Sequence, residues 1–192
     1  MNGKIDIIST IQDCTECAHS LPFSSNPILQ HSRNAKLILI GQAPGLKAHQ
    51  SNTPWNDPSG DRLRDWLNMS KHTFYDKNNL SIVPMGFCYP GKGQSGDLPP
   101  RPDCAPKWHP LLIQLQTPKV ILLVGKYAQD YYLRDKKNLT ERIKNWREYQ
   151  EQFIPLPHPS PRNNIWLKKN SWFENEVLPQ MQHLLKAKLQ KS

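Results

Sequence analysis

The chain has 192 residues, which fits one domain over residues 1–192 with a substantial buried core. Its formal net charge is +9 and its isoelectric point is near 9.4, so a polyanion is the expected partner; a merely basic, soluble protein is the alternative. The sequence contains no apolar run long enough to cross a membrane, and residues 1–10 lack the order of a signal peptide. We therefore expect a cytoplasmic protein without membrane contact, whose cysteines are reduced.

The hydrophobic pattern alternates between strands and helices. Short, continuous apolar runs predict buried strands over residues 36–40, 80–85, 119–124 and 153–156. Amphipathic spacing predicts helices over residues 5–12, from 58 onward, and over 105–115, 127–133, 140–146 and 170–188. Strands that alternate with helices favour right-handed crossovers. We therefore predict an α/β fold, a three-layer α/β/α sandwich with a central, mainly parallel four-stranded sheet.

The first predicted strand ends abruptly in the loop GQAPG at residues 41–45. Two glycines and a proline let the backbone turn sharply and approach a ligand closely. Trp55 and Asp57 follow this loop. Asp57 is typical of a helix N-cap, and Pro58 after it is typical of the first helical position. A strand, a close-approach loop and a helix start are how α/β proteins build a site at the carboxyl edge of their sheet.

A second loop follows the last predicted strand and reads PHPSPRN over residues 157–163. The flanking prolines restrict the movement of His158. A ring N–H held in this way stabilises negative charge that develops on a carbonyl oxygen. The alternative is a histidine that is simply satisfied within a turn.

Together, in this order and at this separation, the two loops resemble the paired motifs of the uracil-DNA glycosylase superfamily, from about Leu37 to Leu185. HPSPRN looks like the single-strand-selective monofunctional branch, whereas GQAPG is more similar to the iron–sulfur-containing branches (families 4 and 5). The resemblance implies a DNA glycosylase of base excision repair. Such an enzyme flips uracil, or another deaminated base, out of DNA and hydrolyses its N-glycosidic bond to leave an abasic site. We expect a monomer that binds uracil-containing DNA and associates with the nucleoid when bound.

The resemblance implies catalytic roles for three residues. His158 would hydrogen-bond the uracil O2. Asp57 would orient or deprotonate the attacking water, because residues 56–60, NDPSG, align with a GDxSG-like string of one branch. A purely structural cap is the alternative role for Asp57. The first loop has Gln42 and Ala43 where relatives carry a carboxylate, so Gln42 is the second candidate for positioning the water.

The remaining site residues are expected to bind the base and its strand: Gly41, Ala43, Gly45, Trp55, Ser160, Arg162 and Asn163. Trp55 stands where relatives stack an aromatic ring on the flipped base, with core packing as the alternative. Ser160 and the loop at Gly45 are expected at the flanking phosphates. Arg162 either fills the gap left by the flipped base or contacts a phosphate.

Three features bear on specificity and activity. Relatives with strict uracil selectivity place an asparagine on the second strand, but residues 82–86 here read IVPMG, which favours a broader pocket. Neither loop motif contains a lysine nucleophile, which favours a monofunctional enzyme. The first loop also lacks a carboxylate, so a non-catalytic nucleic-acid-binding module on the same fold is the alternative function.

The cysteines form one pattern: Cys14, Cys17, Cys88 and Cys104. Two thiolates from a tight turn and two from the flanks of a long loop can converge on an iron–sulfur cluster or a zinc ion. The spacing resembles the [4Fe–4S] set of the thermophile-type glycosylases, which implies a structural cluster away from the chemistry. Zinc is the alternative metal, and four unrelated buried thiols are the alternative to any metal.

Overall fold

The computed structural model describes residues 6–190. Its helices are α1 (Ile7–Gln12), α2 (Leu46–Ser51), α3 (Pro58–Leu67), α4 (Lys71–Tyr75), α5 (Cys104–Gln114), α6 (Lys126–Leu133), α7 (Leu139–Lys144), α8 (Asn164–Lys169) and α9 (Leu178–Gln190). Its strands are β1 (Leu37–Ile40), β2 (Leu80–Ile82), β3 (Lys92–Gly93), β4 (Gly96–Asp97), β5 (Val120–Val124) and β6 (Phe153–Leu156). Short 3₁₀ turns cover Ala18–Ser20, Trp146–Glu148 and Pro161–Asn163, and a π-helical turn covers Phe173–Val177.

The central sheet has four strands in the order β2-β1-β5-β6, and all neighbouring pairs are parallel. Leu37 of β1 is in register with Leu80 on one side and with Val120 on the other. Apart from Phe153, every residue of these strands is buried, as expected for a parallel sheet covered on both faces. The predicted α/β class and four-stranded parallel sheet are confirmed.

Alternate residues of each strand point to opposite faces, so the sheet separates two hydrophobic cores. Leu37 and Leu39 pack in a core that also includes buried residues of α3, α7 and α9. Ile38 and Ile40 pack in a second core with buried residues of α1, α5 and α6. The helices therefore form two outer layers, and the carboxyl edge of the sheet is left for loops. No helix within residues 6–190 is long and apolar enough to span a membrane.

Several elements agree with the predicted ones, and α3 agrees down to its cap. Asp57 is the N-cap of α3 and Pro58 is its first residue. Strand β2 is shorter than predicted and ends at Ile82, because Pro84 has no N–H to donate. The backbone nonetheless stays beside β1: the Val83 and Met85 amides donate to the Leu39 and Gly41 carbonyls, each at 2.9 Å.

The prediction of one helix over 170–188 was wrong at its start. Asn170 ends α8 in a non-helical conformation, and its side-chain amide donates to the Trp166 carbonyl at 2.8 Å. The chain becomes helical again in the π-helical turn, and α9 begins only at Leu178. Helices α2, α4 and α8 and the β3–β4 hairpin were not predicted, because each is too short to show a period in the sequence.

Candidate active site

The carboxyl ends of β1 and β6 open into one cavity of about 600 Å³. Both predicted loops line it, together with the end of β2 and one residue of α6. All ten residues proposed from the sequence for catalysis and substrate binding lie in its lining: Gly41, Gln42, Ala43, Gly45, Trp55, Asp57, His158, Ser160, Arg162 and Asn163. Loops at the carboxyl ends of parallel strands share one edge of the sheet, which brings these distant segments together.

His158 is held by its own loop. The Asn163 side-chain amide donates to the His158 carbonyl at 2.7 Å, and the Ser160 backbone amide donates to the ring Nδ1 at 3.2 Å. Since Nδ1 accepts this bond, the proton of the neutral ring is on Nε2. The pKa of His158 is lowered to about 4, mainly by burial. The negative charge of Asp57 raises this pKa and the positive charge of Arg162 lowers it. His158 is therefore a neutral hydrogen-bond donor at pH 7.

The Trp55 indole forms a wall of the cavity beside His158. The two ring centroids are 5.5 Å apart and the rings are inclined by 36°. The indole also lies over Gly41 at the end of β1, where a Cβ atom would be 2.8 Å from the ring. A side chain at residue 41 would therefore push the indole from its place.

Trp55 has a left-handed backbone, with φ of 57°, which is uncommon for a bulky residue. Neighbouring side chains hold this turn. The Arg64 guanidinium donates to the Trp55 carbonyl at 3.2 Å, and the Tyr75 hydroxyl donates to the Pro54 carbonyl at 2.9 Å. A Cβ on Gly60 would lie 1.8 Å from the Trp55 carbonyl oxygen, so this close approach requires glycine.

Asp57 lines the cavity and also caps α3. Its Oδ1 accepts the Gly60 backbone N–H at 2.8 Å. This bond and the positive end of the helix fix the carboxylate. The structural role expected as an alternative is therefore present, and it leaves the carboxylate in the cavity wall.

Arg162 joins the second loop to the β3–β4 hairpin. Gly96 has a φ of 138°, and a Cβ atom there would lie 1.4 Å from Nη1 of Arg162, so the guanidinium lies directly on the glycine backbone. Next to it, burial raises the pKa of Asp97, while the positive charge of Arg162 acts in the opposite direction.

Asp97, Ser95 and Tyr127 also line the cavity and were missed from the sequence. The first two lie in the β3–β4 hairpin, whose loop residues Gln94 and Ser95 are not of the types that mark a two-residue turn in a sequence. Tyr127 follows the most apolar strand by three residues. The rule that placed the other loops at the carboxyl edge of the sheet applies to it as well.

The four cysteines line a second, smaller cavity together with Arg101 and Trp108. All four are half-buried and free of disulfides. Burial raises the pKa of Cys88 and raises that of Cys104 to about 11. Within residues 6–190, no three or more histidine, cysteine or acidic side chains are gathered closely enough for one metal ion.

A cluster and a single ion would place different demands on four thiolates. A [4Fe–4S] cubane binds one thiolate on each of its irons, so its four sulfur ligands surround a volume rather than converge on a point. The Arg101 Nε is buried without a hydrogen-bond partner at the same cavity. An anionic cluster would give this donor an acceptor, so the residues present fit such a group.

The fold and the site together define an α/β/α protein with a preformed cavity, lined by a neutral histidine, an aspartate and an indole, at the carboxyl edge of a parallel sheet. The sequence profile of the uracil DNA glycosylase superfamily matches residues 29–182, and the chain belongs to that superfamily. This superfamily is one of DNA glycosylases, which gives the general class of activity. The match includes both loops, Cys88 and Cys104, whereas Cys14 and Cys17 lie outside it.

Among solved structures, the chain is similar to the solution NMR structure of a candidate uracil DNA glycosylase from Methanosarcina acetivorans. The sequence identity is 15% and the TM-score is 0.47. The match covers 81% of this chain and 94% of that chain.

Proposed function

We propose that the protein is a monofunctional DNA glycosylase that hydrolyses the N-glycosidic bond of deoxyuridine, and of other deaminated nucleotides, in DNA. The observation that carries this proposal is that His158, Asp57 and Trp55 line one cavity although their loops are about a hundred residues apart. An enzyme of this kind must hold one extruded base, stabilise its departure and position a water. Each of these tasks has a suitable side chain in the cavity.

His158 stabilises the leaving base. When the bond between C1′ and the base nitrogen breaks, its electron pair leaves with the base and negative charge spreads to the carbonyl oxygen. The Nε2–H of a neutral, fixed imidazole donates to that oxygen. Because its pKa is about 4, His158 stabilises the anion by a hydrogen bond rather than by protonating it first.

Asp57 positions the water. The oxygen atom of the water adds to C1′, and its proton passes to the carboxylate. The bond from Gly60 holds one carboxylate oxygen and so orients the group. Gln42 lines the same cavity and is the second candidate for this role.

The choice of base is set by the end of β2. Ile82 and Pro84 line the cavity there, and neither side chain has an amide to read the edge of a base. With a volume of about 600 Å³, the cavity also has room for bicyclic bases. Both features support a substrate range that includes hypoxanthine and xanthine, which a panel of oligonucleotides carrying each base tests directly.

We also propose that the four cysteines hold a structural [4Fe–4S] cluster, with zinc as the alternative. Their thiolates would bind the group, and Arg101 would donate to it. When bound, the group would connect the segment around Cys14 and Cys17 to the start of α5.

Strand cleavage of a uracil-containing oligonucleotide by alkali, after incubation with the protein, tests the proposed activity. We expect His158→Ala to release uracil about 10²- to 10³-fold more slowly than wild type, as for the loss of one donor to developing charge. His183→Ala is the control, because His183 is exposed on α9 and does not line the cavity. Wild-type protein that is no faster than His158→Ala would leave a non-catalytic DNA-binding module as the function.

A further inference from the structure

The large hydrophobic side chains that remain exposed are unevenly placed. Four of those within residues 6–190 line the cavity or lie within two residues of its lining: Leu46, Leu98, Tyr127 and Ile165. A single exposed apolar side chain is ordinary, but exposed apolar residues that recur in the segments lining one cavity favour a contact surface there. We call these four residues the apolar lip.

Tyr127 is the member of the apolar lip that enters the cavity wall. It is 41% exposed and is the second residue of α6. The turn before Tyr127 packs on the loop that carries His158. Gly125 in this turn has a φ of 86°, and a Cβ there would be 3.5 Å from the Cβ of His158. The Gln129 side chain ties the same helix to the end of β6 by donating to the Leu156 carbonyl at 2.9 Å. Tyr127 is therefore an exposed ring on a fixed support beside His158.

The charges next to Tyr127 are already paired. Lys126 forms an ion pair with Asp130, which also pairs with the buried Arg142. The phenol ring is thus the main group that this part of the lip offers to a ligand. An aromatic ring offers a stacking face to any nucleobase.

We propose that Tyr127 stacks on the base next to the extruded nucleotide, so that the apolar lip holds a strand whose bases are unstacked. This inference rests on the proposed function in taking DNA as the ligand. Trp55 already forms the wall beside His158, whereas Tyr127 is an exposed part of the cavity lining, where it could meet the nucleotide next to the extruded one. The preferred substrate is then single-stranded or locally opened DNA.

Binding without cleavage tests this proposal. The ligand is a fluorescent single-stranded oligonucleotide with a tetrahydrofuran abasic analogue at its centre, followed by anisotropy. We expect Tyr127→Ala to bind roughly 5- to 150-fold more weakly and Tyr127→Phe to bind like wild type, because stacking needs the ring and not the hydroxyl. Leu111→Ala is the matched control, because Leu111 is 44% exposed on α5 and outside the lip.

A double-mutant cycle identifies the base. Replacing the nucleotides that flank the analogue by abasic spacers should weaken wild-type binding but add little to the Tyr127→Ala defect. The defect should also persist at higher salt, since stacking releases no counterions. Additive losses, a Tyr127→Phe variant as weak as Tyr127→Ala, or a defect that disappears with salt would overturn the proposal.

The two proposals fail in different ways. Protein that shows the coupled loss at Tyr127 but releases no uracil would overturn the proposed function alone. Protein that releases uracil but shows an additive cycle would overturn the stacking role alone. Wild-type protein that neither binds the oligonucleotide nor releases uracil would overturn both.

Discussion

The cavity at the carboxyl edge of the sheet, called the catalytic cavity after its proposed function, and the cysteine cavity are supported in opposite ways. The wall of the catalytic cavity is held by hydrogen bonds from buried or half-buried side chains, such as those of Arg64 and Tyr75 to the turn at residues 54–55. Around the cysteine cavity, the side-chain connections between segments are exposed. They include the ion pair of Lys107 with Glu16 and a 3.8 Å contact from the Cys17 thiol to Asp103.

This difference indicates how far the shape of each cavity depends on a ligand. Contacts within the chain shape the catalytic cavity, and fixed donors of this kind suit the proposed chemistry. Exposed ion pairs contribute little to stability, and the Arg101 Nε at the cysteine cavity has no partner. If the proposed cluster is bound, the cysteine cavity depends on it for part of its stability. Four predictions test this contrast, from the largest expected effect to the smallest.

Gly60→Ala should be the most damaging of these changes. The new methyl group would lie 1.8 Å from the Trp55 carbonyl oxygen and would displace the turn that carries the indole. We expect uracil release to fall by about 10²-fold, as for a misplacement of about 1 Å, and stability to fall by about 1–3 kcal/mol. Cleavage rates and urea unfolding measure the two effects.

Gly45→Ala is the stability control for that change. A Cβ at Gly45 has only the Asp97 carboxylate nearby, at 3.4 Å. Its unfolding midpoint should stay close to that of wild type. If Gly60→Ala is as stable and active as wild type, the catalytic cavity is not shaped by this turn.

Cys104→Ser should affect the cysteine cavity and leave the catalytic cavity unchanged. We expect loss of broad visible absorption after anaerobic purification and a melting temperature lower by roughly 5–10 °C, because metal binding contributes to folding. The rate of uracil release well below that temperature should change little. His158→Ala is the reciprocal variant, with colour and melting temperature retained and activity lost. Wild-type protein that is colourless and metal-free would contradict the proposed cluster.

Stability should fall as the pH falls from about 6.5 toward 4. Burial lowers the pKa of both His158 and His109 to about 4, so the folded protein keeps these rings neutral where the unfolded chain protonates them. The unfolded state then binds more protons, which makes stability rise with pH over this window and level off above it. Urea unfolding at pH 7.5, 6 and 5 measures the slope.

The two histidines lie at different places in the fold, which makes the pH effect separable. His158 is in the catalytic cavity, whereas His109 is on α5, the helix that begins at Cys104. His158→Asn should reduce the slope of stability against pH and leave the contribution of His109. A slope that is unchanged in this variant would show that the catalytic cavity does not disfavour charge on its histidine.

Tyr75→Phe should have the smallest effect. It removes the hydrogen bond to the Pro54 carbonyl and should cost about 1 kcal/mol of stability. Activity should fall as well, through a less fixed Trp55. Tyr149→Phe is the control, because it removes a hydroxyl bonded to Asp135 outside the cavity. Equal activity of the two variants would show that Trp55 does not need this support.

Much of the architecture follows from local sequence. Continuous apolar runs suit strands that are buried on both faces, so the four central strands and their parallel direction were predictable from the residues between Leu37 and Leu156. The helix cap at Asp57 follows from the chemistry of its side chain and the proline after it. Since parallel strands end at one edge, the meeting of the GQAPG and HPSPRN loops was also foreseeable.

The tertiary structure alone decided how those loops are shaped. The left-handed turn at Trp55 depends on Arg64 and Tyr75, and the position of Arg162 depends on Gly96, more than sixty residues away in the chain. Such contacts have no signature in the sequence pattern, because their energy is gained only once the segments have folded against each other. A short sequence pattern therefore determined which residues reach the site, and long-range packing determined how they are held there.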